Sequence, residues 1–129
     1  MTSDTQTTAS TPVIYIVDDD DAVRFALSLL LETCGWESRA FKSVDEFKSA
    51  YREDAGISCL VLDLNMPGIT GADLLESLES HIPVIVVTGN ADSLLAERAR
   101  RAGVRAILSK PFSDQVLLGH IREALQAAA

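Results

Sequence analysis

Four short apolar runs in the 129-residue chain end in residues that handle metal ions and phosphate. The first is followed by Asp18 and Asp19, and the others end at Asp63, Thr88 and Lys110. Three carboxylates brought together raise one another's pKa unless a cation sits among them. Two of them about 6 Å apart repel by roughly 3 kcal/mol at an effective dielectric of about 20. Hard carboxylate oxygens with water completing the shell suit Mg²⁺, for which Mn²⁺ can substitute. A metal beside a carboxylate, an ammonium and a hydroxyl is equipment for phosphoryl transfer, where positioning and charge neutralisation do most of the catalysis. An aspartate can itself be the acceptor, forming an acyl phosphate. Asp63, followed by a turn and supported by both cations, is the expected nucleophile. Mg²⁺ and Lys110 would neutralise the phosphoryl oxygens, Thr88 would donate a hydrogen bond, and N–H groups after Asp63 would add more. Lys110–Pro111 is an X-Pro bond in a tight connection, and a cis peptide there would aim the lysine inward.

The stretch IVDDDDAVRFAL, residues 16–27, holds four of the acids in a row. Asp20 is placed to cap the helix that starts near Asp21, and both favour its positive end. Taken alone, the four acids read equally well as a solvated helix cap, Lys110 as a surface lysine and Thr88 as a strand-end residue; the set carries the argument. An EF-hand loop is excluded, because counting from Asp18 puts Val23 at the turn-glycine position and Leu29 at the bidentate-glutamate position.

Such a set needs strands that end on one rim. Residues 13–17, 57–64 and 83–88 are apolar runs, as expected of strands covered on both faces, and residues 104–109 are expected to form a fifth strand. WESRAF, residues 36–41, carries charge inside a short strand and suits a sheet edge. Helices are expected over 21–34 with a broad apolar face ended by Gly35, from the Ser43/Glu46 capping box to about Tyr51, and from the Thr70/Asp73 pair to about Ser80. Two more follow, over 91–102 ended by Gly103 and from Ser113 toward Gln126. Strand and helix alternate five times, which predicts a doubly wound α/β sandwich with helices on both faces of a parallel sheet. In such sheets the functional site lies at the carboxyl ends of the strands.

At 47% hydrophobic residues, the chain has the composition and length of one domain, residues 12–129, behind a Thr/Ser-rich flexible tail, residues 1–11. The net charge of −8 argues against direct binding of nucleic acid or an anionic membrane by this segment. Cys34 and Cys59 show no metal or redox spacing and read as two buried free thiols. No signal peptide and no run of about 18 apolar residues is present, so a cytoplasmic location is expected.

IVDDD at 16–20, LDLNMPGITG at 62–71, PVIVVTG at 83–89, AGV at 102–104 and SKPF at 109–112 resemble the receiver domain of two-component response regulators, most closely its FixJ-like branch. The resemblance spans residues 13 to about 126, with the segments in the family's order. It implies a flavodoxin-like (βα)5 fold with strand order 2-1-3-4-5. It also implies that a histidine kinase or phosphotransfer protein phosphorylates Asp63 with Mg²⁺ present. By the family pattern Asp19 binds the metal directly, Asp18 through water and Asn65 through its backbone carbonyl, while Thr88 and Lys110 read the phosphoryl group. Such a domain catalyses its own phosphorylation without being a turnover enzyme. FixJ-like receivers commonly precede a helix-turn-helix domain, which would make the full protein a transcriptional regulator. One position departs from the family: Ile107 stands where Tyr or Phe is usual, so no ring is available to swing with the threonine, and the relay would run through the 88–92 loop.

Arg98, Arg100, Arg101 and Arg105 fall on the fourth helix and fifth strand. They read as a solvated face, or as partners for acids such as Asp114 or Glu123 of a second copy in a phosphorylation-favoured homodimer. Two rivals are a haloacid-dehalogenase-type phosphatase, with D-x-D-x-V at 19–23 making Asp19 the nucleophile and Asp21 the acid, and a receiver-like binding module that accepts no phosphate.

Overall fold

In the computed structural model, which describes residues 11–52, 56–66, 71–78 and 81–128, apolar runs form a five-stranded parallel sheet. The elements are β1 (Val13–Val17), α1 (Asp21–Thr33), β2 (Glu37–Phe41), α2 (Val44–Ala50), β3 (Ser58–Asp63), α3 (Gly71–Ser77), β4 (Val84–Thr88), α4 (Leu94–Arg101), β5 (Ala106–Ser109) and α5 (Asp114–Ala128). The strands lie in the order β2-β1-β3-β4-β5, the predicted 2-1-3-4-5, so β1 and β3 are neighbours at the point where the order reverses. The expected tail, all but its last residue, lies outside the described residues, as do the expected cap Thr70 and the expected helix end at Ser80.

Side chains alternate across each strand, and that period of two divides the core into two layers. Val13, Tyr15, Val17, Leu60, Leu62, Val84 and Val86 pack against α2, α3 and α4. Ile14, Ile16, Cys59, Val61, Ile85, Val87 and Leu108 pack against α1 and α5. Every residue of β1, β3 and β4 is buried, whereas β2, with Glu37, Arg39 and Ala40 exposed, is an edge strand as expected. Each fully buried Leu or Ile contributes about 1.5–3 kcal/mol relative to exposure. Tyr15, Phe47 and Tyr51 add an aromatic knot with ring centroids 5.1–5.5 Å apart.

Local chemistry explains where the elements start and stop. Gly35 and Gly103 take φ of +80° and +87°, and the following amides of Trp36 and Val104 bond back to Leu31 and Ala99, closing α1 and α4. Val104 is therefore spent on a helix cap, and β5 begins later than expected, at Ala106. At the start of α4, Asn90 Oδ1 accepts from the Asp92 N–H and Ser93 Oγ accepts from the Ala96 N–H. These side chains turn the backbone at 91–92 and move the helix start from 91 to Leu94. Ser43 caps α2 as expected, but Glu46 reaches back to the Lys42 N–H. The apolar face of α1 is only partly buried: Leu27 and Leu31 enter the core, while Phe25 and Leu29 are exposed. Cys59 is buried as expected, but Cys34, at the end of α1, is half-buried.

Candidate functional site

The carboxyl rim of the sheet gathers the predicted polar residues. Asp18 follows β1, where its N–H still donates to the Phe41 carbonyl, so the sheet ladder holds its backbone. Asp63 is the last residue of β3, paired with Val87 of β4. Both are buried, at 2% and 4% exposure, and Asp19 beside them is exposed. One carboxylate oxygen from each of Asp18, Asp19 and Asp63 lies within 4.8 Å of the others.

Lys110 reaches this cluster from the opposite side. Its N–H donates to the Thr88 carbonyl at 2.8 Å, its peptide bond to Pro111 is cis, and its ammonium lies 3.3 Å from Asp63 Oδ2 and 3.6 Å from Asp18 Oδ2. Asp63 Oδ1 accepts from the Asn65 N–H at 2.9 Å. Gly71, the first residue of α3, approaches so closely that a Cβ there would stand 3.2 Å from the Asp63 carbonyl oxygen and 3.0 Å from Leu62. Only glycine allows that approach without a shift, and it keeps α3 against the end of β3.

The four consecutive acids divide the work. Asp20 Oδ1 accepts from the Ala22 and Val23 N–H groups as the N-cap of α1. Asp21, in the first turn and almost fully exposed, pairs with Arg24. Arg24 also donates to the backbone carbonyl of Asp18 at 2.6 Å, a brace that sequence reasoning missed, although the Asp21/Arg24 spacing of three on a helix was visible. With Asp21 facing solvent and Arg24, the pair of carboxylates that a dehalogenase-type phosphatase needs is not assembled.

Burial raises the Asp18 carboxyl above its ordinary value. The hydrogen bond from the Asp20 N–H and the charge of Lys110 oppose that shift, and the charges of Asp63 and Asp19 add to it. Asp18 Oδ1 accepts from the Asp20 N–H at 2.9 Å, whereas the buried Oδ2 has no hydrogen-bond partner among the described residues. A buried carboxylate oxygen left this way, two further hard oxygens within reach and one exposed residue admitting water together fit a small, partly hydrated divalent cation. The donor set contains no thiolate or imidazole, which excludes a preference for zinc or copper.

Thr88, fully buried at the end of β4, completes the rim. Its hydroxyl donates to Asn65 Oδ1 at 2.8 Å and accepts from the Asn90 N–H at 3.1 Å. The Asn65 side chain is thus part of the site, a contact between residues 23 apart that no local pattern announces. Ile107 is not on the rim. It pairs with Val86 one strand away and packs, partly buried, into the core layer that contains Ala96 and Ala99 of α4.

Residues 14–122 match the response regulator receiver domain. The chain belongs to that family. The receiver is 40% identical to the response regulator protein TodT of Pseudomonas putida over 119 residues, 90% of this chain and 52% of that protein. It is 38% identical to the transcriptional regulatory protein FixJ of Azorhizobium caulinodans over 123 residues, 90% of this chain and 56% of that one. The chain spans about half the length of the curated relatives it matches. Among solved structures, the response regulator StyR superposes with a TM-score of 0.85 at 37% identity, covering 92% of this chain and 61% of that one. The structure of FixJ-N gives 0.78 at 31%, covering 94% and 98%. No helix of the described residues is long and apolar enough to cross a membrane.

Proposed function

We propose that this receiver accepts a phosphoryl group on Asp63 from the phosphohistidine of a kinase or phosphotransfer protein, in a cytoplasmic exchange. The P–N bond of the donor breaks as a P–O bond to the Asp63 carboxylate forms. The observation that carries the reading is the placement of the Lys110 ammonium 3.3 Å from a buried carboxylate at the end of β3, with two further carboxylates within reach. Asp18, Asp19 and Asp63, with the Asn65 carbonyl, would hold Mg²⁺ or Mn²⁺, which when bound neutralises charge on the transferring group. Asp18 and Asp19 would offer carboxylate oxygens to the cation, Lys110 faces the phosphoryl oxygens, and Thr88 donates its hydroxyl to one of them. The chain performs one transfer onto itself and does not turn over.

Relatives named as transcriptional regulators support a transcriptional output for the full protein. A homodimer through α4, β5 and α5 is the associated state. Arg98 is already held within the chain by Asp73 and Glu76, so it is not free for a second copy; on α4 the more open groups are Leu94, 85% exposed, and Arg101, 80% exposed and paired with Glu97 at 3.9 Å. Ile107, partly buried in the core layer that contains Ala96 and Ala99 of α4 and lacking a ring, leaves the 88–92 loop as the route from Thr88 to that surface.

The test is intact mass after incubation with acetyl phosphate. The expected result is one phosphoryl group with Mg²⁺, none with chelator and none in Asp63→Asn. An adduct that persists in Asp63→Asn and maps to Asp19 would favour the phosphatase reading. A receiver-like binding module would show no adduct under any condition.

A further inference from the structure

Asn65 lies two residues past Asp63, yet its side chain is committed to the next strand. Oδ1 accepts two hydrogen bonds, from the Thr88 hydroxyl at 2.8 Å and from the Gly89 N–H at 2.9 Å. One hydroxyl and one backbone amide converging on a single oxygen form the kind of donor pair that stabilises an oxyanion. Here the oxygen in that position belongs to the protein itself.

The Thr88 hydroxyl has one proton to give. Its other nearby acceptor, the Asn90 carbonyl, stands at 3.4 Å, so the shorter contact to Asn65 takes the proton. A phosphoryl oxygen on Asp63 therefore cannot recruit Thr88 while Asn65 holds it. We infer that the Asn65 side chain is a latch: its amide oxygen occupies the donors of Thr88 and Gly89 in the unmodified protein, and a phosphoryl oxygen must displace it. The inference rests on Asp63 being the phosphoacceptor. It gives the side chain a positioning role separate from that of the backbone carbonyl.

The exchange runs in the right direction energetically. An anionic phosphoryl oxygen makes charge-assisted bonds about twice as strong as those to a neutral amide oxygen, so the modified state wins the donors. Displacement also cuts the side-chain tie between the loop after β3 and the loop after β4. Modification at Asp63 would then free residues 88–92 without any aromatic ring, which suits a chain with Ile107.

Two measurements on the full chain test the latch. In the absence of Mg²⁺ and of any phosphodonor, the Gly89 amide of Asn65→Ala should exchange its hydrogen roughly tenfold faster than in the wild type, the effect of losing one hydrogen bond. With Mg²⁺ present, beryllofluoride, a phosphoryl mimic, should bind Asn65→Ala several-fold more tightly than the wild type, and Asn65→Ser should behave alike. Unchanged Gly89 exchange, or mimic affinity that is equal or weaker in both variants, overturns the latch. Failure of wild type and variants alike to take up either beryllofluoride or phosphate overturns the Asp63 reading instead, and the anion-free exchange measurement still decides whether the clasp exists.

Discussion

The ammonium of Lys110 stands 3.3 Å from Asp63 Oδ2 across 47 residues of sequence, and it is the cation that lets two buried carboxylates share one rim. Lys110→Ala removes it from both Asp63 and Asp18. At neutral pH without Mg²⁺ the variant should lose on the order of 1–3 kcal/mol, the cost of leaving buried polar groups without their partner. Mg²⁺ should restore part of that loss. Urea unfolding with and without the ion measures both, and equal stability in Mg²⁺-free buffer would show that the ammonium does not neutralise the nest.

Asp18 is held above its ordinary carboxyl range chiefly by burial, so the folded protein binds its proton more readily than the unfolded chain does. The penalty for keeping it charged is therefore fully present above the raised folded pKa. It fades as pH falls through that value toward the unfolded one. Asp18→Asn should consequently be more stable than wild type at neutral pH in chelator, with the difference shrinking as pH falls. Added Mg²⁺ should reverse the order, because the cation stabilises only the charged form. Paired melting curves across pH decide it.

The thiols should separate by reactivity. Burial pushes the Cys59 thiol up to about 12, leaving almost no thiolate at neutral pH, while Cys34 at the end of α1 is half-buried. A thiol reagent should label one cysteine in the native protein and two in urea. Peptide mapping should find the native label on Cys34, and rapid native labelling of Cys59 would contradict the packing of β3.

Tyr15 is 1% exposed and its hydroxyl has no hydrogen-bond partner among the described residues. Tyr15→Phe keeps the ring contacts to Phe47 and Tyr51 and removes an unsatisfied buried oxygen. The variant should be as stable as wild type or more so, by up to about 1 kcal/mol. A clear loss of stability on unfolding would reveal a partner for that oxygen.

Arg98 on α4 donates to Asp73 and to both carboxylate oxygens of Glu76 on α3. The Glu76 carboxyl is held below its usual range, chiefly by the hydrogen bond from Arg98. Arg98→Ala should lower the melting temperature slightly at low salt and leave it nearly unchanged in molar salt, since exposed pairs are screened. A salt-independent loss would point to packing by the arginine stem.

The fold was legible because its signals are local or periodic. Apolar runs covered on both faces, glycines at the ends of α1 and α4, and Ser43 and Ser113 as caps each depend on neighbours within a turn or a strand. Errors arose where local signals competed: Ser93 and Asn90 outbid the apolar pattern at the start of α4, and the closing turn of that helix shortened β5.

By itself the chain's order of residues determined which polar groups meet, because every parallel strand delivers its last residue to the same rim. Only the tertiary structure decided how they are shared: the Asn65 amide on Thr88 and Gly89, Arg24 on the Asp18 carbonyl, and Arg98 drawn to α3 instead of outward. The physical reason is reach. Strand period fixes where a backbone ends, but the direction of a long polar side chain is set by which partners the packed helices and loops bring within about 3 Å, and no pattern along one segment encodes that distance.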